Sequence, residues 1–370
     1  MIKTAGIYIH IPFCVKRCNY CDFTSFTKLN FIPPYIDALK REIALRANEG
    51  IGLTFDSIYF GGGTPSLLEI TYLQSVIDKL YKYYKISKEV EITIETNPES
   101  VTLQKLKCYK KLSINRLSIG VQSFDDKVLN CVERIHNSEK AIEAIQLARE
   151  ASFDNLNLDL IVGLPESNMN TFKVNINALK QHKPEHISLY ILMRDKNTKL
   201  SKNIENGLIS LPSDSNIEYY WRKYMKFLKA EDYNHYEISN FSKEGYICKH
   251  NLHYWLRDPY IGFGVSASSF INDERATNTK KLNLYIDRLN KGFNPATFRE
   301  KISTKKKRTE EIMLGLRLIN KGISKELIRK DKEEIVNNFI DLKLLKENCG
   351  NLCLTGKGLI LSNQIIASLM

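Results

Sequence analysis

The chain has 370 residues, 43% hydrophobic and 26% charged, a length that suits a barrel of about 200 residues with one or two smaller additions. No stretch approaches the ~18 consecutive apolar residues of a membrane span, and the eight cysteines are too unevenly spaced for a disulfide framework. The net charge of +12 comes from lysines spread along the chain, which favours a solvated surface over a nucleic-acid face. We therefore expect a soluble, cytoplasmic protein whose thiols are reduced and available to bind metal.

Short apolar segments rich in β-branched and aromatic residues alternate with helical patterns in the first half. This alternation predicts a parallel sheet, and six repeats without a dinucleotide-binding fingerprint predict an α/β fold, a partial (β/α)6 TIM-type barrel. The predicted strands are Gly6–Ile11, Ser57–Phe60, Glu91–Glu95, Arg116–Ile119, Asn155–Ile161 and His186–Leu192. The predicted helices are Pro34–Arg46, Leu67–Tyr84, Leu103–Lys110, Ser138–Ala151 and Asn170–Lys180.

Three units are expected along the chain. Residues 1–195 form the barrel, and residues 196–300 an extension whose aromatic and polar residues show no clear period to about Pro295. Residues 301–370 have amphipathic helix spacing from Glu310 and an apolar tail from Leu354. They predict a small helical, winged-helix-like domain, although a helical lid over one end of the barrel would explain the same pattern. The basic run 305–308 (KKKR) is predicted to be a linker or an exposed helix start.

Three cysteines follow the first predicted strand with the spacing C-x3-C-x2-C, namely Cys14, Cys18 and Cys21. Three soft thiolates this close together can ligate three irons of a [4Fe–4S] cluster. The fourth iron then lacks a protein ligand and is open to the amino and carboxylate groups of S-adenosylmethionine (SAM). A zinc site that lacks a distant ligand and unligated thiols are the alternatives.

Residues 61–66 (GGGTPS) follow the second predicted strand. Consecutive glycines let the backbone approach a ligand that a Cβ would exclude, and the methionine amino group is the ligand expected here. A tight turn in which Thr64 or Ser66 caps a helix from Leu67 is the alternative. A phosphate loop is disfavoured because its lysine is missing.

Four polar residues lie at or near later strand ends, where apolar side chains would pack better. Glu95, Gln122 and Asp159 lie on or just after strands, and Arg134 follows in ERIH. The carboxyl ends of barrel strands meet at one mouth, so these side chains are expected to lie together. An arginine suits a carboxylate, and acidic groups suit hydroxyls or an ammonium group.

The motifs CVKRCNYC, YFGGGTPS, ETNPE, GVQSF and NLDLIVGLP together resemble the radical S-adenosylmethionine superfamily, in its coproporphyrinogen-dehydrogenase-like branch. The resemblance spans essentially the whole chain. It implies a [4Fe–4S] cluster on the three cysteines named above. It also implies a SAM site formed by Tyr8, Tyr20, Gly62, Gly63, Thr64, Glu95, Gln122, Arg134 and Asp159.

This branch contains an oxygen-independent coproporphyrinogen III oxidase and a haem chaperone of the HemW type. The oxidase has a fourth cysteine two residues past the third, whereas this sequence has Phe23, as the chaperone does. The oxidase also has an N-terminal extension, whereas the chain begins only a few residues before the first strand. Both features favour the chaperone type.

The segment 250–255 (HNLHYW) resembles the H-N-x-x-Y-W motif of the chaperone. It implies haem contacts from His250, Asn251, Tyr254 and Trp255, with His250 the preferred iron ligand and the aromatic rings stacked on the porphyrin. Ordinary packing of these side chains is the alternative.

The resulting hypothesis is a haem chaperone that transfers haem to an acceptor protein, one involved in respiration, and that carries a [4Fe–4S] cluster with exchangeable SAM. The alternative is a radical enzyme resembling the coproporphyrinogen III oxidase. The haem-chaperone hypothesis makes the chain a carrier rather than an enzyme. Neither hypothesis involves nucleic acid. A homodimer and peripheral association with the inner membrane face stay open.

Overall fold

The first half of the chain forms a parallel sheet. The computed structural model describes residues 4–370. Its first six strands are β1 (Thr4–Ile11), β2 (Thr54–Gly62), β3 (Ile86–Thr96), β4 (Arg116–Gln122), β5 (Leu156–Val162) and β6 (His186–Ile191). Each strand pairs in parallel with the next. The predicted α/β fold with a partial barrel is confirmed.

Helices connect these strands and cover the outside of the sheet. They are α1 (Ile32–Leu45), α2 (Ile70–Tyr83), α3 (Leu103–Lys111), α4 (Asp126–Cys131), α5 (Ser138–Glu150) and α6 (Met169–His182). In β1, Ile7 and Ile9 are fully buried in the core that the helices complete, whereas Tyr8 and His10 take the opposite face. This alternation follows from the two-residue period of a strand.

The opposite face of the sheet lines a polar barrel interior. Tyr8 of β1 is in register with Tyr59 of β2, which is in register with Thr93 of β3. Thr93 is in turn in register with Arg116, whose side chain is fully buried. A conventional barrel of this kind fills its interior with branched apolar side chains. This interior therefore has chemistry that packing alone does not require.

The second half of the chain extends the same sheet at both edges. Its elements are α7 (Lys199–Glu205), α8 (Asp214–Ala230), β7 (Asn234–Glu237), β8 (Asn240–Ser242), α9 (Lys249–Trp255), β9 (Tyr260–Phe263), β10 (Ser268–Ile271), β11 (Glu274–Asn278), α10 (Leu282–Asn290) and β12 (Ala296–Lys301). The strand order is β12-β11-β10-β9-β1-β2-β3-β4-β5-β6-β8-β7. Strand β9 pairs in parallel with β1, and β8 pairs antiparallel with β6. The segment 196–300 is thus continuous with the barrel sheet.

The C-terminal segment has a sheet and an apolar cluster of its own. Its elements are α11 (Thr304–Gly315), β13 (Ile323–Ser324), α12 (Glu333–Asp341), β14 (Leu345–Asn348), β15 (Asn351–Leu354), α13 (Gly356–Ile360) and α14 (Ser362–Leu369). The three strands form an antiparallel sheet in the order β13-β15-β14. The basic run 305–308 lies in the first turns of α11 and is therefore a helix start. The boundaries at 195 and 300 stay predictions.

Six short 3-10 helices complete the described segments: Leu29–Phe31, Ala47–Gly50, Pro65–Leu67, Pro98–Ser100, Lys325–Leu327 and Lys330–Lys332. Within residues 4–370, the helices are too short or too polar to cross a bilayer.

Candidate functional site

The three cysteines of the C-x3-C-x2-C motif lie in one loop directly after β1. Backbone hydrogen bonds close the base of this loop, because the Cys14 N–H donates to Phe26 O (3.0 Å) and the Phe26 N–H donates to Pro12 O (2.6 Å). The Cys21 N–H donates to Cys18 O (3.3 Å) within the loop. All three thiols are free and partly exposed. The loop thus presents them together at the carboxyl end of β1.

The surroundings of the thiols suit thiolate ligands. The Thr64 hydroxyl donates to Cys14 Sγ (3.6 Å), and Nη1 of Arg134 donates to Cys18 Sγ (3.5 Å). Burial raises the pKa of Cys14 and of Cys21, so these two free thiols hold their protons until a metal displaces them. Among residues 4–370, no group of three or more side chains converges on the position of a single metal ion. A cubane cluster places each thiolate on a different iron, so its ligands need no such convergence.

The glycine-rich turn after β2 packs directly on the cysteine loop. The Gly63 N–H donates to Ile11 O (2.8 Å) and the Thr64 N–H to Phe13 O (2.8 Å). A Cβ on Gly63 would lie 2.8 Å from Phe13 O and 3.0 Å from Cys14 Sγ. Only glycine permits this close approach.

The capping alternative for this turn is not what the structure shows. Helix α2 begins at Ile70, and neither Thr64 nor Ser66 caps it. The Ser66 hydroxyl instead contacts the hydroxyl of Ser100 (2.5 Å). The turn therefore packs against the cysteine loop, and the side chains of Thr64 and Ser66 cap no helix.

Two predicted carboxylates, Glu95 and Asp159, lie inside the barrel. Glu95 accepts hydrogen bonds from the Tyr59 hydroxyl (3.0 Å) and the Gly62 N–H (3.0 Å). Asp159 accepts from Asn157 Nδ2 (2.8 Å) and from a neighbouring serine. Burial, reinforced by the negative charge of Asp159, raises the pKa of Glu95 to about 7. Burial also raises the pKa of Asp159.

Arg134 joins the cysteine loop to the ends of β3 and β4. Its Nη2 donates to Gly120 O (2.7 Å) and Asn97 Oδ1 (3.0 Å), while Nη1 contacts Cys18 as described above. Its buried Nε has no partner among the described residues, so the guanidinium retains a free donor. Gln122 ends β4 with a left-handed backbone (φ 66°), and its Nε2 lies 3.0 Å from where a Cβ on Gly120 would be.

The two predicted tyrosines lie in different surroundings. Tyr20 packs on the small cluster of Val128, Val132 and Leu164 beside the cysteine loop. Tyr8 lies deeper in the barrel, where its ring stacks on Tyr59 with 6.2 Å between ring centroids. The structure thus gathers the cysteines, the glycine turn, Glu95, Arg134 and Tyr20 at the mouth, and Tyr8 below them.

The residues of the predicted haem motif lie on α9, which packs on β1 and β2. His250 is 1% exposed, and its Nδ1 lies 3.0 Å from Ser57 Oγ and its Nε2 2.9 Å from the Tyr254 hydroxyl. Its ring stacks on Tyr59 with 5.1 Å between ring centroids. Burial lowers the pKa of His250 well below its usual value. The imidazole is therefore neutral, and both of its nitrogens are engaged within the protein.

The other motif residues point in different directions. Tyr254 lines a cavity of about 360 Å³ that Phe23 and Thr24 of the cysteine loop also line. Trp255 lies under the guanidinium of Arg317, 5.2 Å from the ring centroid. Asn251 lies near the hydroxyl of Tyr236. The four side chains thus share no single open face.

Two residues near the site were not singled out as site residues from the sequence. Asn97 lies inside the motif ETNPE and contacts both Arg134 and Thr64. Arg116 lies buried in the barrel, in register with Thr93 of β3. Its only sequence signal is a charged residue at the start of an otherwise apolar strand.

Comparisons with known proteins agree with the geometry. A family model described as the radical SAM superfamily matches residues 8–179. The heme chaperone HemW of Bacillus subtilis is 31% identical over 98% of this chain and 98% of its own. The heme chaperone HemW of Synechocystis sp. is 36% identical over 86% of this chain and 79% of its own.

Among solved structures, the coproporphyrinogen III oxidase HemN of Escherichia coli, a radical SAM enzyme, superposes with a TM-score of 0.85 over 99% of this chain and 90% of that one. The two sequences are 22% identical, so this match shows the fold alone. The similarity to the HemW proteins extends over nearly the full length of the chain. The chain therefore belongs to the HemW family within the radical SAM superfamily.

Proposed function

We propose that this protein binds haem and passes it to an acceptor protein. The observation that carries this proposal is the similarity to the heme chaperone HemW of Bacillus subtilis over 98% of both chains. The cysteine loop supports it, since Phe23 occupies the place of the oxidase's fourth cysteine and is 64% exposed. We further propose that the protein works in the cytoplasm and that its acceptor is a respiratory protein.

Cys14, Cys18 and Cys21 are proposed to hold a [4Fe–4S] cluster. Membership in the radical SAM superfamily supports a cluster and SAM. The guanidinium at Cys18 and the hydroxyl at Cys14 would stabilise thiolate charge. Bound there, the cluster would supply an iron with an open coordination position for SAM.

The SAM site is proposed to lie between the glycine turn and Arg134. The free Nε donor of Arg134 suits the carboxylate of SAM, and the carboxylate of Glu95 suits the hydroxyls of a ribose. The absence of a Cβ at Gly63 lets the glycine turn pack directly against Phe13 and Cys14, beside the place expected for the amino group. The full proposed set is Tyr8, Tyr20, Gly62, Gly63, Thr64, Glu95, Gln122, Arg134 and Asp159.

Substitution of the arginine tests this site. Arg134→Ala should weaken SAM binding by about 10- to 100-fold, because a charge-assisted contact to a carboxylate is lost. Equilibrium dialysis of the reconstituted protein would measure the affinity. Arg222→Ala is the control, since that side chain is 52% exposed and pairs with Glu218 on the same helix. An unchanged affinity in Arg134→Ala would refute the assignment.

Haem contact is proposed through α9, by His250, Asn251, Tyr254 and Trp255. Iron ligation by His250 requires one ring nitrogen to give up its partner, Ser57 or Tyr254, and the buried ring to become accessible. Titration with hemin, followed by the Soret band, tests both the function and the ligand. We expect a Soret complex in the wild-type protein and an altered band in His250→Gln. No complex in the wild type would refute the haem proposal, and an identical band in the variant would remove His250 as the ligand.

A second candidate function is a radical enzyme acting on a porphyrinogen. The observation that favours it is the retained set of groups suited to SAM at the barrel mouth. Anaerobic incubation of the reconstituted protein with coproporphyrinogen, SAM and a reductant separates the two functions. Catalytic formation of protoporphyrinogen would establish the enzyme and overturn the carrier function.

A further inference from the structure

An unbroken chain of hydrogen bonds links two of the three cysteines through the protein. Arg134 Nη1 donates to Cys18 Sγ (3.5 Å), and Arg134 Nη2 donates to Asn97 Oδ1 (3.0 Å). Asn97 Nδ2 then donates to Thr64 Oγ1 (3.0 Å), which donates to Cys14 Sγ (3.6 Å). Asn97 is the centre of this chain and contacts neither cysteine itself.

The direction of every bond in the chain is fixed by chemistry. A guanidinium has no acceptor atom, so the atom of Asn97 that faces it must be the carbonyl oxygen. The amide nitrogen of Asn97 therefore faces Thr64, and the Thr64 oxygen must accept from it. The single proton of that hydroxyl is left free for Cys14. Asn97 thus makes the hydroxyl a donor toward sulfur.

The surroundings hold Asn97 in this orientation. Its backbone N–H donates to Ser66 Oγ (3.4 Å), and its backbone carbonyl accepts from Ser100 Oγ (2.7 Å). The residue lies between the end of β3 and the short helix Pro98–Ser100. These contacts fix the backbone of Asn97, and its side chain lies between Arg134 and Thr64.

We propose that Asn97 is a positioning residue that sets the reduction potential of the cluster by orienting the Thr64 hydroxyl on Cys14 and the Arg134 guanidinium on Cys18. This inference rests on the proposed cluster. Hydrogen bonds to ligating sulfur stabilise the added negative charge of the reduced state and so raise the potential. Loss of the chain makes the cluster harder to reduce.

Neutral substitutions test the chain without changing the charge near the cluster. Asn97→Ala removes its centre, and Thr64→Val removes the donor to Cys14 while keeping the branched shape. Both variants should shift the midpoint potential to more negative values, measured by anaerobic redox titration with electron paramagnetic resonance. Thr64→Ser keeps a hydroxyl and should restore the wild-type potential. Thr96→Val is the matched control, since this adjacent buried hydroxyl donates to Ser118 O outside the chain.

The double variant Asn97→Ala/Thr64→Val decides whether the two residues act through one chain. On the Cys14 side they share one hydrogen bond, so the double variant should shift the potential by clearly less than the sum of the single shifts. Additive shifts, or single variants that match Thr96→Val, would overturn the inference while leaving the cluster in place. Absence of a cluster from the reconstituted wild-type protein would overturn the proposed cluster as well. If Asn97→Ala assembles no cluster, the Thr64→Val and Thr64→Ser pair still tests the hydrogen bond that Asn97 orients, and equal potentials in these two variants would overturn the inference.

Discussion

His253 fastens α9 to the barrel and should make stability depend on pH. Its Nε2 lies 2.7 Å from Asp56 Oδ1 and its Nδ1 3.3 Å from Asp258 Oδ2, and the side chain is 5% exposed. Burial by itself would lower the pKa of His253, but hydrogen bonds and charge from Asp258 and Asp56 outweigh it and raise the pKa to about 9. The ring is therefore an imidazolium at neutral pH, held between two carboxylates.

The size of the effect follows from the difference between the folded and unfolded pKa values. An unfolded histidine titrates near 6.5, so the raised pKa stabilises the fold fully below about pH 6.5, and the stabilisation disappears as pH rises through about 9. Linkage gives a contribution of roughly 2 to 3 kcal/mol at pH 7, about half of that at pH 8 and almost none at pH 9.5. The charged ring therefore stabilises the fold most at pH 7, the lowest of these three pH values.

Urea unfolding of the wild type and of His253→Gln at these three pH values tests the prediction. The difference in unfolding free energy should shrink by about 2 kcal/mol from pH 7 to pH 9.5. His235→Gln is the matched control, because burial lowers the pKa of His235 to about 4 and its ring stays neutral throughout. A difference for His253→Gln that is independent of pH would refute the argument.

Two further predictions concern the glycine turn and the ion pairs of Glu310. Gly63→Ala should reduce the iron and sulfide content of the reconstituted protein, because the new methyl group meets Phe13 O and Cys14 Sγ; Gly356→Ala, with nothing within 4 Å of its Cβ, should leave that content unchanged. Glu310→Gln should destabilise the protein by about 2 kcal/mol, because Glu310 is 5% exposed and pairs with Arg257 and Arg275. In a Trp221→Phe background Trp255 is the only tryptophan, so its fluorescence reports on α9 alone. Glu310→Gln should increase the quenching of this fluorescence by acrylamide. Unchanged quenching would show that α11 does not hold α9 in place.

The strand ends of the first half could be predicted because the signal there is local. In β4 a charged Arg116 starts the strand, an apolar stretch follows, and the polar Gln122 ends it. Parallel strands must then bring their carboxyl ends to one mouth, so Glu95 and the cysteine loop converge without any knowledge of long-range contacts. The α/β barrel fold could therefore be predicted from the sequence.

The extension of the sheet could not be predicted in the same way. Strands β9 and β10 are four residues each, and their sequences YIGF and SSFI are too short to show a period. Their positions are set by partners far away in the chain, since β9 pairs with β1. The hydrogen-bond chain through Asn97 is hidden for a similar reason. Thr64 lies 33 residues before Asn97 in the sequence, and Arg134 lies 37 residues after it.

The burial of His250 bears on how a carrier of haem could release its cargo. Under the proposed ligation, a ring that gives up its hydrogen bond to Ser57 or Tyr254 in order to bind iron loses about 1 kcal/mol, together with its stacking on Tyr59. This cost is subtracted from the affinity for haem, because the ring must reach an accessible conformation before iron can bind. The same cost is returned when haem leaves and the ring goes back to its partners. Internal partners for the ligand therefore weaken binding and favour delivery, which is what transfer to an acceptor requires.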